Sequence, residues 1–573
     1  MTCTKFKLTT VAALVLAATN ANAALYDVVE VKTSITGASE IFGVAIQPAT
    51  VSGTESCFTT GTVGGIACDS FKLAGETRDT LEAVSYREEV PFAMDAPFQY
   101  IQEFDDFENY CYRELRYSTC ESWAQNRWND TWSKERNDLT YVNARAFVEG
   151  GETFESRNTV INSLDDDAKP VGVKSEGGIR NNALFTTTAE PTGTSETRAW
   201  KAITASNNKV YNVGSVSVDQ GTTDTSKPDK AFSSKAAIWD ASYTKELDWG
   251  NGVSAKEDEY FSQGSMRGIT EVNNRFYGVG YNTVNGNGDL RDMNANIFVS
   301  SQIDFTNNVD LSTVTWENKF ISGAEVKSGS SNDDARYSNS VATDINENLF
   351  AVGYSKRNGY VPESGSAGNK MFVVTDASAS TPTATYLSGG IFFGGSSGEA
   401  KAVNNFNEFV GQVDAETTRE VDGSERRHRG FIYPYNVASS KDERRVDIFN
   451  GQAWWLDDLT NDGNASGENN KFRIIDASDI NDAGVISATA IKCTVGGTTQ
   501  PYDTTSHNSY CGGAASNAVE EVVAVKLIPI AGKGKADIQT RSADTEKVDR
   551  QGGSLGWLGL TVLGLLGFRR KFK

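Results

Sequence analysis

Along most of this chain apolar and polar residues alternate in short runs, broken by Asn, Gly, Ser and Thr. That is the period-two pattern of half-buried strands joined by turns. The stretch from Ala342 to Ser355 shows it best: a strand, a tight turn at Asn346, and a second strand reaching Val352-Gly353. The same phrase recurs at Asn207…Gly214, Asn273…Gly280 and Asn404…Gly411, and again from Asn481, where Ala488 takes the place of the glycine. The five asparagines are spaced by 66, 73, 58 and 77 residues, and Asn143…Gly150 reads as a weaker sixth copy. Asn suits a turn because its side chain bonds its own backbone and it tolerates positive φ. A glycine inside a strand permits close approach of another backbone. Each clear Val-Gly strand is followed by another apolar strand: Ala237-Ile238-Trp239, Ile297-Phe298-Val299, Met371-Phe372-Val373 and Gly430-Phe431-Ile432-Tyr433.

Units of two to four strands cannot each bury a face alone, so they must stack or close. Radial closure leaves only short edges. The pattern therefore predicts a mainly β chain, a β-propeller-like ring of about six or seven blades; an irregular sandwich or solenoid is the alternative. The early strand Leu25–Val31 and the late strand Val522–Ile530 would complete one blade together and fasten the ring.

One region departs from this period. Phe98, Ile101, Phe104, Phe107, Cys111 and Leu115, then Ala124, Trp128 and Trp132, follow a helical three-four spacing. This predicts a helical insertion whose aromatics pack a core rather than line a ligand face. The resulting layout is 1–23 leader, 24–75 first strands, 76–138 helical insertion, 139–535 propeller-like repeats, 536–551 linker and 552–573 tail.

The leader has Lys5 and Lys7 before an apolar core from Val11 to Ala18, then Ala21-Asn22-Ala23 as a small-residue cleavage site before Ala24. It reads as a secretory signal served by the Sec export machinery. At the other end Gly552-Gly553-Ser554 precedes an apolar segment from Leu555 to Phe568 and the basic cluster Arg569-Arg570-Lys571-Phe572-Lys573. The apolar run is short for a membrane span of about 20 residues, and the basic cluster would hold it on the cytoplasmic side. A plain transmembrane tail is the simpler reading.

That order of Gly-Gly-Ser, short apolar helix and terminal basic cluster resembles the GlyGly-CTERM sorting tail of Gram-negative secreted proteins. The resemblance implies cutting near the Gly pair by a rhomboid-type protease, rhombosortase. It also implies passage through type II secretion and attachment to the cell surface. The repeats resemble the extracellular repeats named for a His-Ala-Phe tripeptide (HAF repeats). Ala477-Ser478-Asp479-Ile480-Asn481-Asp482-Ala483-Gly484 matches best, and His428-Arg429-Gly430-Phe431 is the nearest relic of the tripeptide itself. The whole chain is similar to an uncharacterised family of exported gammaproteobacterial proteins, which carries no established activity.

Without leader and tail the chain has 48 basic and 75 acidic residues, a formal charge of about −27. Nucleic-acid phosphates demand a basic face, so that class of partner is excluded. Cys3 leaves with the leader. The remaining six cysteines suggest disulfides in an oxidising compartment, with sequence neighbours pairing as Cys57–Cys68, Cys111–Cys120 and Cys493–Cys511 among 15 formal connectivities. A Cys111–Cys120 bridge forbids one unbroken helix across it, because nine residues rise about 13.5 Å; a break is expected near Tyr117-Ser118-Thr119.

Catalytic signals are sparse. The histidines are His428 and His507, so multi-His metal sites are absent. Gly394-Gly395-Ser396-Ser397-Gly398 has the letters of a nucleophile elbow but leads into a repeat strand instead of a helix. Asp462, Asn464 and Ser466 alternate like the start of a calcium loop, but Arg473 stands where the bidentate acid belongs. Asn285, Asn287, Asp289 and Asp292 form a second oxygen-rich loop. Turn chemistry accounts for both, so calcium stays an open alternative and no cofactor is assigned. Arg426-Arg427-His428-Arg429 and Lys441…Arg444-Arg445 read as solvated hairpin tips, or as a grip for an acidic glycan. The sequence thus points to an exported, surface-attached β-repeat protein that binds or scaffolds an extracellular ligand it does not identify. The alternative is a secreted glycan or peptide hydrolase with an acidic propeller pocket.

Overall fold

A computed structural model describes residues 24–38, 40–51, 55–78, 103–112, 120–134, 138, 140–155, 158–176, 179–182, 191, 196–220, 232–257, 260–284, 292–325, 340–356, 368–415, 426–437, 443–463, 468–499, 511 and 517–541. Leader and tail, with Ala21, Ala23, Gly552, Gly553 and Ser554, lie outside them, as does the break expected at 117–119.

The alternating segments pair as antiparallel meanders. Six sheets of four or more strands, with one of three, succeed one another around a ring, a β-propeller. Blade 1 runs Ile41–Ile46, Leu73–Thr77, Arg145–Val148 and Thr153–Phe154; blade 2, the three-stranded one, Thr159–Leu164, Pro170–Glu176 and Ile179–Asn182. Blades 3 to 6 begin with Glu196–Thr204, Gly264–Val272, Ser340–Ile345 and Gly398–Val403. Blade 7 is built from Phe472–Ile480, Ile486–Val495 and Val519–Pro529, and its outer strand is Tyr26–Glu30 from the start of the chain. Tyr26 pairs with Pro529 and Glu30 with Val525, so the first and last strands fasten the ring.

Closure follows from where the apolar faces go. One hydrophobic cluster lies between each pair of neighbouring sheets. Val171 and Trp239 join blades 2 and 3, Phe276 and Ile238 blades 3 and 4, Phe372 and Ile297 blades 4 and 5. Phe350 and Phe431 join blades 5 and 6, and Phe472 and Ile432 blades 6 and 7. Leu73 and Ala524 then join blade 7 to blade 1, and Ala74 and Ile161 close the circle to blade 2. Each sheet is therefore covered on both faces by its neighbours, and burying each such large apolar side chain stabilises by about 1.5–3 kcal/mol. Lys526 adds a polar staple at the closure: its buried ammonium donates to the carbonyls of Asp69 (2.8 Å) and Phe71 (2.9 Å) and pairs with Glu149 at 2.8 Å.

The insertion leaves blade 1 between its second and third strands. Helix α1 (Phe104–Tyr110) begins where Asp106 accepts the N–H of Glu103, and α2 (Cys120–Arg127) runs into a π-helical turn at Trp128–Trp132. Phe107, Trp123 and Trp132 form a small core that reaches Phe232 of blade 3. The Cα atoms of Cys111 and Cys120 are 5.5 Å apart and bridged, so α1 and α2 fold back on each other. Cys57–Cys68 and Cys493–Cys511 are the other disulfides.

Candidate functional site: the central channel

The inner strand of every blade carries a β-bulge at the same place. The register slips between Gly43 and Ala45, Ile161 and Ser163, Ala199 and Lys201, and Met266 and Gly268. It slips again between Ala342 and Asp344, Ala400 and Ala402, and Ala477 and Asp479. A bulge adds one unpaired residue and re-aims its neighbours. Opposite the bulge, on the second strand, stands the repeat glycine: Gly214 faces Ala199, Gly280 Met266, Gly353 Ala342 and Gly411 Ala400. A Cβ on any of them would sit well inside contact with the carbonyl oxygen pushed forward by the bulge, that of Glu399 in the case of Gly411. Gly75 and Gly172 hold the same station in blades 1 and 2, two copies the sequence pattern does not expose.

The repeat asparagines do not share one station. Asn346, Asn404 and Asn481 do. The side-chain oxygen of Asn346 accepts the N–H of Asn348 and Phe350, and its amide donates to Asn404 in the next blade. Asn404 repeats this toward Asn481, and Asn481 toward the carbonyl of Gln47 in blade 1. The residue with positive φ is three places on, at Leu349, Asn407 and Gly484. Asn207 instead bonds within its own hairpin, to Tyr211 and Lys209, and Asn273 is half of a two-residue turn in which Asn273 and Asn274 both have positive φ. Asn143 is buried ahead of a third strand, and Gly150 is in the turn after it, so this pair is not a repeat copy.

The bulges gather a set of charged side chains that the repeat pattern did not single out. Lys201 of blade 3 reaches Asp344 of blade 5 at 2.6 Å. It passes Gly268, the equivalent residue of blade 4, where even a Cβ would come within 2.8 Å of Asp344 Oδ1. The second oxygen of Asp344 accepts the N–H of Val403. Asp479, the equivalent residue of blade 7, accepts the N–H groups of Ile46 and Ile480. Burial pushes the Asp479 carboxyl up to about 6, against the pull of Lys201. Burial lowers the Lys201 ammonium, but Asp344, then Asp479, outweigh it and the net shift is upward. Among the bulge residues themselves are Trp200 and Arg267, whose guanidinium lies 3.6 Å from the Trp200 ring centroid, and Lys401, which pairs with Asp476 at 2.9 Å. The signal for Asp344 and Asp479 was present in the recurrent Asp-Ile-Asn; Lys201 carried none.

Arg426, Arg427 and Arg444 of the basic clusters are buried, contrary to the solvated tips expected, and Lys441 lies outside the described residues. Arg426 pairs with Asp414 at 2.8 Å with each side chain 1% exposed, and His428 lies 3.2 Å from the same carboxylate. Arg444 pairs with Glu408 at 2.6 Å and donates to the carbonyl of Asp482. Carboxylates 12 and 36 residues back neutralise Arg426 and Arg444, so these two are not a surface grip. Of the calcium candidates, Asp462 accepts the N–H of Asn469, while Asn464 and Ser466 lie outside the described residues. Among the described residues no group of three or more His, Cys, Asp or Glu is placed to hold a metal ion, and no helix is long and apolar enough to cross a membrane.

A family model described as a protein of unknown function, DUF3466, matches residues 204–571. The chain belongs to this family. No curated protein matches it. The DUF3466 region takes in blades 4 to 6 whole and blade 7 except its outer strand Tyr26–Glu30, and runs on into the Gly-Gly-Ser tail, whereas Lys201 and the helical insertion precede it. Asp344, Lys401, Asp476 and Asp479 therefore lie within the DUF3466 region.

Proposed function

We propose that this DUF3466 protein is exported, sorted by its GlyGly-CTERM-like tail and held at the cell surface, where the ring binds or scaffolds an extracellular partner. The leader and tail patterns support export through the Sec machinery, cutting by a rhombosortase-like protease and type II secretion. Three disulfides support an oxidising compartment. The Asp-Ile-Asn repeats, similar to HAF repeats, belong with that extracellular reading.

The observation that favours binding over catalysis is the pairing of the channel charges. Asp344 is engaged by Lys201 and a backbone N–H, Asp479 by two backbone N–H groups, and Asp476 by Lys401. A hydrolase needs a carboxyl free to exchange a proton with substrate. One observation favours the second reading, a glycan or peptide hydrolase: the Asp479 carboxyl, pushed up to about 6, is placed to hold a proton near neutral pH beside Asp344.

The test is direct. Full-length protein is released from cells and screened on a glycan array and a hydrolase panel, with and without calcium chelation. Saturable binding without turnover is expected. Turnover abolished by Asp479→Asn would replace the binding reading with the hydrolase. For location, Gly552→Leu with Gly553→Leu is expected to leave an uncut, membrane-held precursor, and normal surface display of that variant would overturn the sorting reading.

A further inference from the structure

The two ends of the described chain meet on one four-residue helix, α3 (Leu456–Leu459), buried between blades 6 and 7, at the rim marked by blade 7's outer strand, whose Val28 N–H donates to Asn469. The N–H of Leu25 donates to the carbonyl of Leu459 at 2.8 Å. The N–H of Arg541 donates to the Asp458 carboxylate, also at 2.8 Å. Both ends are built in. Ala24 is 2% exposed, Leu25 and Tyr26 are fully buried, and the carbonyl of Tyr26 accepts the Asn469 amide. The Arg541 guanidinium bonds the carbonyls of Phe472 and Asn470, and Asn461 holds the carbonyls of Gln539 and Thr540. The residues from 536 to 541, expected as the start of a linker, are thus docked.

From Arg541 only residues 542–551 separate this rim from Gly552. Ten residues span at most about 35 Å fully extended, and a flexible chain of that length averages about half as much. On the other side the leader would join directly at Ala24. Any membrane segment at either end is therefore tied to the same spot.

We infer that the rim around α3 is the surface this protein turns toward the bilayer while either end remains attached, so that the ring stands edge-on with blade 7 against the lipid surface. This rests on the reading of the two ends as membrane-inserted. The opposite rim, at blades 3 and 4, then stands farthest out. It carries Phe232, on which the helical insertion packs, and an open cleft lined by Ser206, Asn274, Gln302 and Thr306. One surface is committed to the membrane, and the inserted helices lie on the side presented outward.

The test uses full-length protein retaining its tail through Gly552→Leu and Gly553→Leu, with a fluorescent amino acid at exposed Glu468 on the blade 7 side or at exposed Thr306 on the far rim. Membranes containing brominated lipid are expected to quench the Glu468 probe at least fivefold more than the Thr306 probe. Equal quenching of a membrane-bound protein would overturn the orientation and leave the tail reading standing. Recovery of the variant in the soluble fraction would overturn the tail reading, and the orientation with it. A second measurement needs no membrane: in the released protein, energy transfer between labels at Asp27 and Thr540 is expected to be strong and between Asp27 and Thr306 weak. Weak transfer in the first pair would overturn the shared exit point by itself.

Discussion

The side-chain amide of Asn346 donates to the backbone carbonyl of Asn404, 2.8 Å away in the neighbouring blade. Asn404 does the same to Asn481, and Asn481 to Gln47, so a line of asparagines stitches blades 5, 6, 7 and 1 around one mouth of the channel.

Asn404→Ala is accordingly expected to destabilise the protein by about 3 kcal/mol, because it removes the acceptor of the buried N–H groups of Phe406 and Glu408 and one of the donors to the Asn481 carbonyl, which keeps the N–H of Gly484. Asn207→Ala, at a half-exposed hairpin of similar sequence, is expected to cost about 1 kcal/mol or less. Denaturant unfolding of the two variants measures the contrast. Equal losses would mean that the inter-blade bonds contribute nothing beyond the turn.

Gly411→Ala places a methyl group against the Glu399 carbonyl that the bulge thrusts forward. A loss of about 3 kcal/mol or more is expected, at the upper end of overpacking costs. Gly323→Ala tests the opposite situation. That glycine has open space but positive φ, so its cost is conformational, about 1 kcal/mol. Thermal melts that rank the two the other way would contradict the role given to the bulge.

Lys201→Met removes the cation between Asp344 and Asp479. Breaking a fully buried pair costs about 3–5 kcal/mol. The Lys201 side chain is 33% exposed, so screening lowers the expected loss to about 2 kcal/mol. Adding Asp479→Asn is expected to recover part of it by removing one of the two carboxylates left facing each other. A strictly additive double-mutant cycle would show that the two residues do not interact.

Burial pushes the Asp458 carboxyl up to about 6. An acid whose folded value exceeds its unfolded value of about 3.9 carries a penalty when ionised. The penalty is fully present above about pH 6, shrinks as pH falls through the window from 6 to 4, and is gone below it. Asp458→Asn keeps an oxygen for the Arg541 N–H and escapes the penalty. Its melting temperature is expected to exceed that of the parent protein at pH 7.5 and to converge with it at pH 4. A difference that does not change with pH would assign the effect to something other than proton uptake.

The ring was legible because its glycines are forced. In blades 3 to 6 a Cβ opposite the bulge would collide with a backbone carbonyl, so Gly214, Gly280, Gly353 and Gly411 recur visibly, while blade 7 accommodates Ala488 at that station. The pairing of Tyr26 with Pro529 was legible for a related reason, since two strong apolar strands stood alone at the ends. Asn207 misled because it is the third residue of a five-residue loop in which Asn346, Asn404 and Asn481 are the first, and Asn273 because its loop has two residues. The channel charges were hidden because an ion pair depends on which blades face each other across the axis. Lys201 and Asp344 are separated by 143 residues and by a whole intervening blade. Arg426 looked solvated for a different reason: its Asp414 partner lies 12 residues back, on the adjacent strand of the same blade.

Fastening blade 7 with Tyr26–Glu30 also orders events in time. The partner strand, Val519–Pro529, is nearly the last part of the ring to leave the ribosome or a translocon. Until it arrives the earlier blades form an open arc, with the apolar face of blade 1 around Leu73 and Phe147 uncovered. Contacts of such long sequence separation form slowly, since loop closure must precede their reward. Closure is thus the late, committing step of folding. A chain interrupted before residue 519 would display its unfinished edge to chaperones and proteases.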